Sequence, residues 1–493
     1  MIGKQYFEIG ANDWLSGVTS GANTLDGGLS NVTQQMNITA VPGALYPPGA
    51  VVDASTNLSD EIIASCEDPE YLGENRMLLD DSGNFYSYDG TILTKEDTAS
   101  AAAMFTQGTT DMVPWFDSAN ISAPNFYATT SAGATYREVV KWNGTSTLTE
   151  DWWTSTLGQP ALSSFTSWRP LLVYNNDLYV GDAEKLHRID EDGLTVSNGI
   201  LNFTASNIIS ALGIDQGSGK MLIATNAGSN YSGQNDNESE IMLYDGFSDK
   251  VTRAVPVDGL VTAFKSVGNT TYVFYGNKLG VWTGSGISYL RTLNFDKGSS
   301  STLIYPHRAM GIDNTLYWVD TLPGGVNKQI MAYGETINNI RGFYPILYPT
   351  AAAGSLTAIF PVSSTEIGYS FATSKMYTFD TTDIAAVTNG GAQAHSKRYR
   401  FPRDVTFNGV IAEWDQAAPT GDKNLFSLTV IDSKGNTTQS PQFNPGTRSD
   451  IYEWEFTNPT IETRSIQIKI NWGGNGSDIL GLRRLTVFYT PKE

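Results

Sequence analysis

A short mark recurs along most of this chain: an aromatic residue closes a β-type run, one polar residue follows, and then glycine. It reads Tyr88 Asp89 Gly90, Trp142 Asn143 Gly144, Tyr244 Asp245 Gly246 and Trp282 Thr283 Gly284, contracts to Tyr333 Gly334, and has degenerate copies at Ile189 and Phe379. The spacing runs from about 38 to about 55 residues and averages about 48, the length of one four-stranded propeller blade. Between the marks lie hairpin patterns. Leu171–Tyr174 and Leu178–Val180 flank the polar triplet Asn175 Asn176 Asp177, and a third run, Leu186–Ile189, stops at Asp190 Glu191 Asp192 Gly193. Similar strands are read at Lys220–Ala224, Thr271–Tyr275, Thr315–Val319 and Glu366–Phe371, each after a turn-forming group. One twisted four-stranded sheet cannot bury both faces alone, so such units must stack on one another. The expectation is an all-β chain built on a six- or seven-bladed β-propeller. A run of unrelated β-sandwiches is the competing architecture.

At 493 residues the chain exceeds what one compact core usually supports, and its 48 glycines with only 17% charged residues fit many turns and few helices. Residues 1–69 read as an extended arm, rich in Gly and Pro, in which Val32–Val41 alternates well enough to be a strand that closes the ring on the last blade. Residues 70–400 are assigned to the propeller. Near His395–Arg403 the pattern changes, and 401–493 is expected to form an antiparallel β-sandwich with strands at Leu425–Ile431, Ile451–Phe456, Ser465–Ile470 and Leu485–Tyr489. One helix is expected, Asp97–Phe105, with Asp97 as its N-cap. Ala351–Phe360 stays ambiguous.

The formal charge is −20, and residues 1–400 carry 40 acidic against 22 basic residues. That balance opposes non-specific binding to nucleic acid or anionic membrane. Cys66 is the single cysteine, so no intrachain disulfide forms. The opening Met1–Tyr6 lacks a signal-peptide pattern, and no run of about 18 apolar residues occurs, so a soluble protein made in a cytoplasm is expected. Asn-x-Ser/Thr triplets such as those at Asn31, Asn37, Asn143 and Asn269 are read as unglycosylated.

The search for chemistry returns little. His187, His307 and His395 are too far apart along the chain for zinc-ligand spacing, and the acidic run Asn235–Glu240 lacks the glycine-centred loop of a calcium site, so no metal and no cofactor are expected. Nucleophile-elbow, phosphate-loop and His-Glu-x-x-His motifs are missing, and no catalytic residue is assigned. Trp152, Trp153 and Trp168 form the densest indole group; exposed, they would stack on sugar rings, and buried, they would pack between blades or at an interface. Lys397, Arg398, Arg400 and Arg403 form a basic cluster that would meet either acidic neighbours at a domain junction or phosphate.

The arm Asp26 Gly27 Gly28 Leu29 Ser30 Asn31 Val32 through Pro42 Gly43 Ala44 Leu45 Tyr46 Pro47 Pro48 Gly49, the degenerate blades and the Tyr399 Arg400 Phe401 Pro402 junction together resemble the propeller-type virion proteins of tailed bacteriophages, including the nozzle proteins of short-tailed phages. The resemblance implies a structural virion protein, not an enzyme, placed in the tail or head-to-tail assembly as a nozzle, ring or tail hub. Its implied partners are other tail or connector proteins and copies of itself in a ring, with DNA passing without sequence-specific contact and no membrane segment. Two alternatives stand beside it: a carbohydrate- or receptor-binding tail adhesin using the tryptophans, and a propeller glycosidase or lyase.

Overall fold

The computed structural model describes residues 5–9, 29–32, 51–54, 58–67, 76–101, 104–106, 110–118, 123–130, 136–164, 169–204, 207–227, 238–293, 304–321, 328–335, 341–347, 356–381, 392–396, 398–416, 425–440, 451–455, 461–473 and 480–492. By its contacts the chain divides into two compact units, Val52–Lys328 with Ala351–Thr378, and Met1–Val51 with Gln329–Thr350 and Phe379–Glu493. The first carries most of a seven-bladed β-propeller and the second carries a terminal β-domain.

Seven four-stranded antiparallel sheets make the blades. Blade 1 is Ile62–Glu67, Arg76–Asp80, Asn84–Tyr88 and Leu93–Thr98; blade 2 is Met112–Trp115, Asn125–Thr129, Val139–Trp142 and Leu148–Thr149. Blade 3 is Leu171–Tyr174, Asp177–Asp182, Lys185–Ile189 and Val196–Asn202, and blade 4 is Asn207–Ile214, Met221–Ala227, Glu238–Tyr244 and Arg253–Asp258. Blade 5 is Val261–Val267, Thr270–Tyr275, Lys278–Trp282 and Ile287–Thr292; blade 6 is Ala309–Ile312, Thr315–Thr321, Lys328–Glu335 and Arg341–Leu347. Blade 7 takes Leu356–Pro361, Glu366–Phe371 and Lys375–Asp380 from the end of the repeat, and its fourth strand is Val51–Asp53. An N-terminal strand therefore closes the ring. It is not the expected one: Val32 ends a strand, Leu29–Val32, that pairs with Ala392–Ser396, and residues 33–41 lie outside the described residues.

The recurring mark has a single structural job. Tyr88, Trp142, Tyr244 and Trp282 each end the third strand of a blade, and all four side chains are buried. The polar residue then caps the turn into the fourth strand. Asp89 Oδ1 accepts the amides of Thr91 and Ile92 at 2.8 and 2.7 Å, and Asp245 Oδ1 accepts those of Phe247 and Ser248, both at 2.9 Å. The Ser248 and Phe247 amides hold the Asp245 carboxyl down at about 2. Glycine completes the turn because the backbone is left-handed there, with φ of 89° at Gly90 and 88° at Gly246. At Gly246 a Cβ would also lie 2.9 Å from Tyr174 Cε1, so the tight turn doubles as a packing surface for blade 3.

Burial follows the stacking argument. Phe85 and Leu79 of blade 1 pack with Phe126 and Trp142 of blade 2; Trp115 and Tyr127 of blade 2 pack with Leu178 and Ile189 of blade 3. Tyr179 and Leu186 of blade 3 meet Ile209 and Met242 of blade 4, which meets Val273 and Trp282 of blade 5 through Leu222 and Ile241. Leu78 and Tyr86 of blade 1 close onto Phe360 and Met376 of blade 7, and Arg76 Nε donates to the Pro361 carbonyl across the same junction.

Blade 1 begins at Ile62, inside the segment assigned to the arm. The expected helix at Asp97–Phe105 is corrected at its start: Asp97 and Thr98 end the outer strand of blade 1, paired with Phe85 and Asn84, and among the described residues that follow the Met104 amide donates to the Ala101 carbonyl at 3.1 Å. Strand pairing of Asp97 and Thr98 overrides the helix-start signal there, and Met104 and Phe105 are buried in the core shared by blades 1 and 2. Ala102 and Ala103 lie outside the described residues.

The terminal β-domain consists of antiparallel strands joined through one long strand, Ile461–Gly473. Its first half pairs with Tyr399–Gln416 and its second half with Leu425–Ile431 and Ala392–Ser396. Ile466, Ile468 and Ile470 point from it into the core, with Leu482, Leu485 and Val487 from Leu480–Pro491 also buried. The strand Gln5–Ile9 adds to the edge at Leu485–Tyr489, so the domain takes strands from both ends of the chain.

Candidate functional site

Three places concentrate polar chemistry. The first strands of the blades line a cavity of ≈ 440 Å³ within the propeller, bordered by Cys66, Asp111, Gly213, Lys265, His307 and Gly311. Among the described residues Asp111 is the acid that lines it. Burial pushes that carboxyl up, against the amide of Leu171 and the charge of Lys265. Its oxygens are engaged by backbone, Oδ2 accepting the Leu171 amide and Oδ1 the Met112 amide, both at 3.0 Å. Leu171 starts blade 3 and Met112 starts blade 2, so Asp111 stitches adjacent inner strands.

The second place is a buried ion cluster between blades 2 and 3. Asp182 accepts the Ser163 amide at 2.8 and 3.0 Å, with Arg169 Nε at 3.6 Å and His187 Nε2 at 3.9 Å. Arg169 Nη1 donates to the Thr130 carbonyl at 2.7 Å, and the Thr129 hydroxyl donates to the Arg169 carbonyl at 2.9 Å, which ties blade 2 to the entry of blade 3. His187 Nδ1 lies 3.0 Å from Asn198 Oδ1, and the ring stands edge-on to Trp153 with centroids 5.4 Å apart. A parallel contact holds blade 2 together: Asp117 Oδ2 accepts Lys141 Nζ at 2.8 Å and the Tyr127 hydroxyl at 2.9 Å. In each cluster the polar atoms are turned on neighbouring strands, turns or blades, an arrangement suited to fixing blade geometry.

Burial lowers the His187 pKa, outweighing the pull of Asp182, so the folded chain holds a neutral imidazole where the unfolded chain titrates near 6.5. The unfolded state then binds more protons between the two values. Stability is full above about pH 6.5 and falls as pH drops through the window, by at most about 1.4 kcal/mol per pH unit for this one group. Chemical denaturation of the wild type and of His187→Asn at pH 5.5 and 7.5 checks this. The wild type is expected to lose more stability at the lower pH than the variant, and equal losses would refute it.

Of the two alternatives for the tryptophans, packing between blades holds for two of the three residues. Trp152 and Trp153 are 2% and 1% exposed, in a π-helical turn, Trp152–Thr156, that drives both indoles into the core between blades 2 and 3. Trp153 Nε1 donates to the Pro160 carbonyl at 2.8 Å, and Tyr127 lies against Trp152 at 4.7 Å. Neither ring offers a face to a sugar. Trp168 lies outside the described residues.

The third place is on the terminal β-domain. Arg398 and Arg400 line a groove of ≈ 620 Å³ with Phe401, Lys434 and Arg464. Lys397 lies outside the described residues, and Arg403 is exposed and does not line the groove. Lys434 and Arg464 are the residues that sequence reading missed. The register Arg400↔Ser465 brings Arg464 beside the first pair, and the Asp432–Gly435 turn supplies Lys434.

The histidines occupy three separate elements: His187 in blade 3, His307 in the Pro306–Arg308 turn at the cavity, and His395 in the strand Ala392–Ser396 of the terminal domain. Among the described residues no group of three or more His, Cys, Asp or Glu is arranged to hold a metal ion. Of the acidic run, Asn235–Asn237 lie outside the described residues, while Glu238 and Glu240 sit in a strand opposite Asp258 and Pro256. Among the described residues no helix is long and apolar enough to cross a membrane.

No protein-family model and no curated protein matches the chain. Among solved structures it is similar to the computationally designed Ika8 protein, at 12% identity and a TM-score of 0.36, over 65% of this chain and 96% of that one. It is also similar to BamB from Moraxella catarrhalis, at 10% identity and a TM-score of 0.39, over 71% of this chain and 97% of that one.

Proposed function

We propose that this chain is a structural virion protein of a tailed phage, working in the tail or head-to-tail assembly as part of a nozzle, ring or hub. The observation that carries the reading is the use made of the N-terminal arm. Gln5–Ile9 and Leu29–Val32 add strands to the terminal β-domain, and Val51–Asp53 supplies the last strand of the propeller. Such an arm lends strands to sheets formed by later parts of the chain, and the resemblance to nozzle-type openings implies an arm that leads into a ring-forming β-body. The polar clusters support the same reading, since Asp111, Asp182 and Asp117 spend their oxygens on neighbouring strands, turns and blades. The acidity has a use in a DNA conduit, where like charge keeps phosphate from sticking. The adhesin alternative, as built on Trp152 and Trp153, is disfavoured by their burial.

The test is antibody labelling of purified virions from the phage that encodes the chain, read by negative-stain microscopy. Label confined to the tail or the head-to-tail junction is the expected result. Unlabelled virions, or turnover of host polysaccharide by the purified protein, would overturn it.

A further inference from the structure

The groove on the terminal β-domain carries charge that, Arg464 apart, no described neighbour balances by an ion pair. Arg398 Nη1 donates to the Asp432 carbonyl at 2.8 Å and to Ser465 Oγ at 3.3 Å, both neutral acceptors. Arg400 is exposed, and among the described residues neither it nor the Lys434 ammonium forms an ion pair. The nearby Asp432 carboxylate is turned on its own loop, accepting the Lys434 amide at 2.7 Å and the Asn436 amide at 2.9 Å. Only Arg464 is paired, its Nε lying 3.0 Å from Asp404 Oδ1. Three cations without an ion-pair partner among the described residues thus share one concave surface on a chain whose net charge is −20.

We propose that this groove binds a carboxylate-rich surface of a second copy of the chain, which makes Arg398, Arg400 and Lys434 the basic half of a subunit interface. Two guanidinium groups suit carboxylates, which they hold through paired N–H donors. The complementary half is abundant on the same chain. Residues 1–400 carry 40 acids against 22 bases, and Asp89, Asp151, Asp249, Asp258 and Asp313 are exposed on the propeller. Long-range repulsion by the net charge acts on nucleic acid and on a second copy alike, so short-range pairing of guanidinium groups with carboxylates carries the choice of partner. A basic patch meeting a different, acidic patch is a heterologous contact, and such contacts close rings when the rotation permits. The inference rests on the reading of the chain as a ring-forming structural part.

Sedimentation velocity of the full chain at 50 and 500 mM NaCl tests it. The wild type is expected to associate at low salt and to dissociate at high salt. Arg398→Glu/Arg400→Glu should weaken association at least tenfold at 50 mM NaCl, and Arg403→Glu, outside the groove, should leave it unchanged. Arg400→Glu alone, at an exposed side chain, gives the same direction should the double variant fold poorly. A wild type that stays monomeric at 50 mM NaCl, or a charge-reversed variant that associates as the wild type does, overturns the proposal. So does duplex DNA binding at 150 mM NaCl that the double variant abolishes while its association is unchanged, which would assign the groove to phosphodiesters. Tail-labelled virions combined with unaltered association of the variants would sink this interface alone and leave the structural role standing.

Discussion

Removal of residues 1–54 is expected to lower the unfolding temperature by roughly 5–10 °C and to make the protein prone to association. The deletion takes away Val51–Asp53, the outer strand of blade 7, together with the Ala54 amide bond to the Met376 carbonyl at 3.0 Å and the Lys375–Asp53 ion pair at 3.6 Å. A few backbone hydrogen bonds at about 1 kcal/mol each give a loss of roughly 3–5 kcal/mol, and the exposed ion pair adds little. The larger consequence is geometric: Lys375–Asp380 becomes an unpaired edge, a template for another chain. A shorter deletion, residues 1–10, removes only the Gln5–Ile9 edge strand and should leave the propeller's transition in place. Calorimetry with light scattering separates the cases. A 1–54 deletion that melts like the wild type and stays monodisperse would mean that the ring does not depend on its closing strand.

Trp153→Ala is expected to cost about 3–5 kcal/mol of stability, the range for deleting a buried aromatic. Trp153 is 1% exposed, belongs to the same buried core as Leu162, Leu178 and Ile189, and stands against His187. Truncation leaves a cavity between two blades and orphans the Pro160 carbonyl, to which the indole donates. Urea unfolding should show the midpoint falling with little change in slope. Glycan affinity is the discriminating second readout. Wild-type stability accompanied by loss of a saturable glycan-binding activity would reverse the assignment of this residue from core to surface.

The repeat was legible because its mark is local. An aromatic that ends a strand, an oxygen that caps the next two amides and a glycine in the left-handed region all lie within a few residues, as at Tyr244–Ser248. The hairpin at Leu171–Val180 was legible for the same reason: Asn175 and Asn176 take positive φ of 49° and 68°, the backbone a two-residue antiparallel turn demands. The Asp97–Phe105 stretch failed the local test because its capping aspartate is paired to Phe85 across a blade, and cross-strand pairing outweighs a few tenths of a kcal/mol per residue of helix propensity.

What the residue order determined alone was the class of fold, the unit of repetition and the change of character near the terminal β-domain, all carried by patterns legible within about 50 residues. Only the tertiary structure decided which strand closes the ring, since Val51–Asp53 joins a sheet more than 300 residues further along the chain. It likewise decided that Trp152 and Trp153 face inward, because the turn that orients them is shaped by the blades on either side. The basic groove also belongs to the tertiary structure. Arg398, Lys434 and Arg464 are strangers along the chain, and strand register makes them neighbours.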